Sequence, residues 1–179
     1  MPELPEVETI ARGLRCGHPG VPPMAGMRVE RVTLHWPRHV ATPSPSAFRR
    51  RISGRTFCDV QRRGKYLVFP LDRGTLLVHL RMSGDLRLAP ASDPADRFDR
   101  TILHLTDGWD LRFSDARKFG KLYLLDEPAA LLSRLGPEPL EKAFTPAVRA
   151  ACLTPRRRLL KPALLDQTII AGVGNIYAD

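Results

Sequence analysis

The residues with the clearest capacity for chemistry stand at the start of the chain, where Met1 is followed by Pro2-Glu3-Leu4-Pro5-Glu6. Removal of Met1 would leave Pro2 with a free secondary α-amine. An α-amino group titrates about 2 to 3 units below a lysine side chain, so at neutral pH a larger share of it is unprotonated and able to attack. A secondary amine that adds to a sugar C1′ gives an iminium ion with no N–H proton to lose, and the positive nitrogen then serves as an electron sink for β-elimination. A neighbouring carboxyl can donate a proton to the sugar ring oxygen as the ring opens, and a second can hold the amine in place; Glu3 and Glu6 supply both types. The same residues also read as a proline-rich entry to a helix with an acidic first turn.

Such a terminus needs a scaffold behind it. Val7, Ile10, Ala11 and Leu14 fall on one face of a helix predicted over 5–15, with Pro5 in its first turn. From Arg28 to about Asp126 the pattern changes to short β-rich runs at 28–35, 55–61, 65–71, 74–82, 100–107, 109–115 and 120–126, interrupted by a short helix at 46–52. Turn signals at Asp72-Arg73-Gly74, Ser83-Gly84-Asp85 and Asp107-Gly108 predict hairpins, hence antiparallel sheets in a sandwich or barrel. After Glu127 the pattern turns helical, with helices expected near 128–135, 145–152 and 162–171, and with Leu135-Gly-Pro-Glu-Pro-Leu140 as a linker. Gly172-Val173-Gly174-Asn175 ends the last helix, and Ile176-Tyr177-Ala178 begins an element inside which the chain stops.

At 179 residues and 43% hydrophobic content the chain can bury one good core and a smaller second unit. The net charge of +9, carried by 28 basic residues of which 23 are arginine, suits a polyanionic partner. No apolar run approaches the roughly 20 residues of a membrane helix, and the acidic, proline-rich start is unlike a secretory signal, so a soluble cytoplasmic monomer is expected. Cys16, Cys58 and Cys152 are far apart in the sequence, with no C-x-x-C pair to suggest a metal site.

Taken together, the motifs resemble those of one family. The opening Met1-Pro-Glu-Leu-Pro-Glu-Val-Glu-Thr-Ile10 is similar to that of the bacterial-type formamidopyrimidine-DNA glycosylases. Gly64-Lys65-Tyr66-Leu67, His79-Leu-Arg-Met-Ser-Gly84, Asp115-Ala-Arg-Lys-Phe-Gly120, the 135–140 linker and the stretch Asp166 to Asp179 resemble that family in the same order. Several spaced motifs in one order are more specific than any one alone. The resemblance implies an α+β fold: an antiparallel β-sandwich with an N-terminal helix, forming a catalytic domain over 1–135. The first part of a helix-two-turn-helix DNA-binding domain would follow over 136–179. It further implies base-excision repair of damaged double-stranded DNA, in which oxidised purines such as 8-oxoguanine and formamidopyrimidines are released. The abasic site would then be cut by β,δ-elimination without a redox cofactor.

By that resemblance Pro2 is the nucleophile, Glu3 the acid, Glu6 a support for the amine, and Lys65 a contact to phosphates flanking the lesion. Arg62 and Arg63 would add cations beside Lys65, whereas the plain alternative is a solvated turn lysine. Met82, Arg117 and Phe119 match the family residues that fill the gap left by an everted base. By periodicity alone Met82 continues the apolar phase of Leu76, Val78 and Leu80, and Met82 and Phe119 would both be core residues. Asn175 follows two glycines that let backbone approach phosphate, and reads as a helix cap, a phosphate ligand or both. His79 and His104 lie in strand patterns and are expected to be packed or hydrogen-bonded.

Complete members of the family continue to a four-cysteine zinc finger. Zinc is therefore implied for a complete member, with no metal or cofactor expected in this chain, which is expected to stop short of the finger with its activity impaired. Two other readings stay open. One is an endonuclease VIII-like glycosylase for oxidised pyrimidines, against which Leu4 and the Met82, Arg117, Phe119 set favour the purine branch. The other is a non-catalytic DNA-binding fragment.

Overall fold

The computed structural model describes residues 2–154 and 159–179; the expected removal of Met1 concerns a residue outside that range. Helix α1 (Leu4–Cys16) buries Leu4, Val7, Ala11 and Leu14 on one face, as the apolar spacing requires, and starts one residue earlier than expected. Helix α2 (Pro45–Ile52) is capped by Ser44 and buries Phe48 and Ile52.

Two sheets enclose the core. One is antiparallel and runs β1 (Val29–Leu34), β7 (Asp99–Leu105), β8 (Trp109–Asp115), β6 (Gly84–Pro90). The other runs β2 (Val40–Thr42), β9 (Lys121–Leu125), β5 (Thr75–His79), β4 (Tyr66–Pro70), β3 (Gln61–Arg63). Leu86, Leu111 and Phe113 of the first sheet meet Leu67, Phe69, Leu76 and Val78 of the second in one cluster, joined by Val7 and Leu14 of α1 and Phe48 of α2. This is the sandwich with an N-terminal helix that the resemblance implies.

The structure departs from the sequence pattern at several places, the first being β6 (Gly84–Pro90), which forms where no β-rich run is expected. β2 pairs parallel to β9, so the second sheet is mixed. The run 55–61 forms no continuous strand. Thr56 and Phe57 make isolated bridges, and Asp59 takes the Val60 N–H at 2.7 Å, delaying the strand to Gln61. Two of the three turn signals close hairpins, at 72–74 and 107–108. The third, at 83–85, lies where the chain leaves β5 in one sheet and enters β6 in the other. The segments between β1 and β2 and between β8 and β9 also cross from one sheet to the other.

After β9 come α3 (Ala129–Leu132), α4 (Pro146–Leu153) and α5 (Leu160–Leu165). The helix expected over 162–171 ends at Leu165. Asp166 Oδ1 accepts the Thr168 N–H at 3.0 Å and its hydroxyl at 2.6 Å. The linker takes further backbone groups, with Gly136 N–H donating to the Gln167 carbonyl and Ala171 N–H to that of Pro137. Ala163, Ile169 and Ile170 form a second, smaller core with Phe144, Leu153 and Val173.

Candidate active site

The amino-terminal segment and the glycine turn, more than 160 residues apart in sequence, are packed onto each other. Leu4 N–H donates to the Gly172 carbonyl at 3.1 Å. Glu3, only 1% exposed, accepts the N–H of Ile176 at 2.8 Å on Oε1 and that of Tyr177 at 3.3 Å on Oε2. The backbone donors expected to face an external phosphate are thus taken by a carboxylate of the chain itself, an anion at the start of a helical turn. Gly172 holds φ +93°, and a Cβ there would lie 2.5 Å from Leu4 Cδ1. Gln167, which sequence reasoning passed over, braces this turn. Its amide donates to the carbonyls of Leu165 at 3.0 Å and Val173 at 2.8 Å, and its oxygen accepts the Gly172 N–H at 2.9 Å.

Glu6 accepts the Glu3 N–H at 2.9 Å and the Tyr177 hydroxyl at 3.3 Å, so it steadies the peptide that links Pro2 to α1. Slight burial acts to raise the Glu6 pKa, but the N–H groups of Glu3 and Glu6 and the Tyr177 hydroxyl hold it below the usual carboxylate range. Pro2 itself is half-buried.

Lys65 follows the β3–β4 turn and is 6% exposed. Burial pushes its ammonium below the ordinary lysine range, and the Glu3 carboxylate pulls it part of the way back. A solvated turn lysine is therefore not what the fold builds. Arg62 and Arg63 do not stand beside it as free cations, a correction to the expectation. Arg62 pairs with Glu8 at 2.8 Å and Glu138 at 2.7 Å. Arg63 pairs with Glu138 at 2.8 Å and donates to the carbonyls of Leu135 and Gly136, while Gly64 N–H donates to Glu138. The buried carboxylate of the linker ties both arginines and the Lys65 turn to the helical segment. A pattern search for cations finds Arg62 and Arg63 but not the partner, which sits in a proline-rich linker.

Met82 and Phe119 are exposed by 41% and 51%, not core residues as periodicity alone would have them. Arg117 lies 5.2 Å over the Phe119 ring. Met82 lies in the 80–83 crossing and Arg117 and Phe119 in the 116–120 crossing, and Ser83 and Asp115 link the two. Asn175 is exposed and its side chain makes no hydrogen bond among the described residues, so it is not a cap here.

His79 and His104 are engaged as expected. His79 Nδ1 accepts the Arg81 N–H, and His104 bonds Asp110 at 2.7 Å and Thr33 at 2.9 Å. Among the described residues no three His, Cys, Asp or Glu side chains stand together as a metal site. Cys16, Cys58 and Cys152 are free and on separate segments, so the donors present do not fit a four-cysteine zinc centre. No helix among the described residues is long and apolar enough to cross a membrane.

This arrangement has close counterparts. The pattern described as the formamidopyrimidine-DNA glycosylase N-terminal domain matches residues 1–122, and that described as the H2TH domain of the same proteins matches 135–179. The chain belongs to the formamidopyrimidine-DNA glycosylase family. The formamidopyrimidine-DNA glycosylase of Symbiobacterium thermophilum is 45% identical over 183 residues, covering all of this chain and 58% of its own length. That of Roseiflexus sp. is 48% identical, covering all of this chain and 65% of its own length. Lactococcus lactis Fpg in complex with a FAPY-dG containing DNA has a TM-score of 0.87 at 34% identity, over 99% of this chain and 66% of that one. The chain spans 58–65% of the length of these two curated formamidopyrimidine-DNA glycosylases.

Proposed function

We propose that this chain carries the catalytic amine and part of the DNA-binding surface of a base-excision enzyme for oxidised purines in double-stranded DNA. Residues 1–135 form the catalytic unit and 136–179 part of the binding unit. The observation that carries this reading is the packing of Glu3, next to Pro2, against the Gly172–Tyr177 turn, with buried Lys65 close enough to feel its charge.

In this reading the nitrogen lone pair of Pro2 attacks C1′ as the damaged base departs with the glycosidic electron pair. The Glu3 carboxylate takes the proton that the Pro2 nitrogen loses and delivers it to the ring oxygen, the sugar opens, the nitrogen becomes an iminium, and water protonates the departed base. Loss of a C2′ proton expels the 3′ phosphate, a second elimination expels the 5′ phosphate, and water releases the sugar fragment and regenerates Pro2. Glu6 orients the peptide behind the amine. Lys65, a charge held out of water, bonds a phosphate beside the lesion more strongly than a solvated lysine would. Asn175, exposed and unbonded, is available to a second phosphate. Met82, Arg117 and Phe119 fill the stack after the base leaves it.

Lactococcus lactis relatives of this shape were solved with abasic-site and FAPY-dG containing DNA, which supports damaged DNA as the partner. The test is borohydride reduction of the protein with an abasic-site duplex. A covalent adduct is expected for the Met1-free protein and its loss for Pro2→Gly; salt-sensitive binding with no adduct from either would leave a DNA-binding fragment only.

A further inference from the structure

We infer that Asp115 is a positioning residue that locks the Met82 turn and the Arg117–Phe119 loop into one unit, so that the three side chains enter the duplex together; this rests on the base-displacing role proposed for them above. The two loops are two of the three sheet-to-sheet crossings, β5 to β6 and β8 to β9, so neither is held as a hairpin between paired strands. Each contains a non-glycine residue at positive φ immediately before a side chain of the wedge: Arg81 at 58° before Met82, and Lys118 at 63° before Phe119. Such a conformation persists only where the surroundings over-determine it.

The determinant common to both is the wholly buried carboxylate of Asp115. Its Oδ1 accepts the Ser83 hydroxyl at 2.6 Å and the Arg117 N–H at 3.1 Å, and its Oδ2 accepts the Gly120 N–H at 2.7 Å. The Arg117 N–H is also 3.1 Å from Ser83 Oγ, which closes the ring between the loops. One side chain therefore reaches the turn of Met82 and both ends of the loop of Phe119. The His39 ring, with Nε2 at 3.4 Å from Oδ2, is pushed down to about 4 by burial and is neutral at physiological pH, and the Arg100 guanidinium bonds the Asp115 carbonyl, not its carboxylate, at 3.1 Å. An asparagine at this position has one acceptor oxygen and turns an N–H₂ toward another donor, so it cannot serve all three groups.

The test uses a duplex with a stable abasic-site analogue and 2-aminopurine opposite it, whose fluorescence rises when the wedge unstacks that base. Wild type is expected to give the rise at saturating protein, Asp115→Asn about one-tenth of it, and Ser83→Ala about one-fifth, from the lost hydrogen bonds. Ser83→Thr keeps the hydroxyl and is expected to restore the signal, which a general loss of packing would not do. Asp115→Asn and Ser83→Ala proteins that melt cooperatively and give the wild-type signal would overturn the proposal. If Asp115→Asn does not fold, the Ser83→Ala and Ser83→Thr pair decides alone. A wild-type fluorescence rise without a borohydride adduct on a true abasic site would sink the proposed lyase chemistry and leave the clamp standing. An adduct without a rise would sink the clamp.

Discussion

Gly174 lies directly against the carboxyl group of Glu3: a Cβ built at Gly174 would fall 2.5 Å from Glu3 Oε1 and 2.6 Å from Cγ. Any side chain there must displace either the turn or the acid that sits beside Pro2. Gly174→Ala is therefore expected to lower the yield of abasic-site cleavage by about 100-fold, the scale of an ångström-sized misplacement of a catalytic group. Single-turnover cleavage, with thermal unfolding as the control for folding, measures it.

The same turn should be sensitive at Gln167, whose amide meets two carbonyls and whose oxygen meets one N–H. Gln167→Glu keeps the acceptor for Gly172 but turns an oxygen toward the carbonyls of Leu165 and Val173. It should weaken abasic-site binding more than Gln167→Ala, by about 1–3 kcal/mol for each mismatched polar contact. Titration of a labelled duplex at fixed salt separates the two.

Glu138 is a buried anion serving Arg62, Arg63 and Gly64. Glu138→Gln strips the charge from a pairing in which the Arg62 side chain is itself only 7% exposed, and should cost about 3 kcal/mol of unfolding free energy. Asp126→Ala removes an exposed pair with Arg51 and should cost less than about 1 kcal/mol. Urea denaturation of both variants at one salt concentration provides the comparison.

The fold should lose stability in mild acid. Burial takes His39 and His79 from the ordinary 6.5 down to about 4, so between these values the unfolded chain binds protons that the folded chain refuses. Their neutral forms cost nothing above 6.5, and the penalty grows as pH falls toward 4, where it levels off. For His39 it should reach no more than about 3 kcal/mol. His39→Gln should flatten the dependence of unfolding free energy on pH across that window; an unchanged slope would show that His39 protonates freely in the folded state.

Local patterns were enough for much of this fold. Val7, Ala11 and Leu14 mark α1 because their spacing is set within one helix, and Asp72-Arg73-Gly74 marks a hairpin because a tight turn is closed by its own residues. Ser83-Gly84-Asp85 is as rich in turn-forming residues yet lies where the chain passes between two sheets, since the partner of a strand is chosen by the core and not by the turn beside it. In the site, Pro2, Glu3 and Lys65 were recognisable by type. Asp115, Glu138 and Gln167 were not, because each acts through groups 32 to 76 residues away or through backbone, which leaves no local signature. Arg62 and Arg63 misled for the same reason: a cation shows in sequence, and the anion that occupies it does not.

The central claim is that the attacking amine belongs to Pro2, and the fold supplies a rival in Lys65, a buried amine with a depressed pKa close to Glu3. Tandem mass spectrometry of the protease digest of the borohydride-reduced abasic-site complex distinguishes them. The account predicts the sugar remnant on the amino-terminal peptide, at the Pro2 nitrogen of protein lacking Met1. A remnant on the peptide carrying Lys65, with Pro2 unmodified, would contradict it.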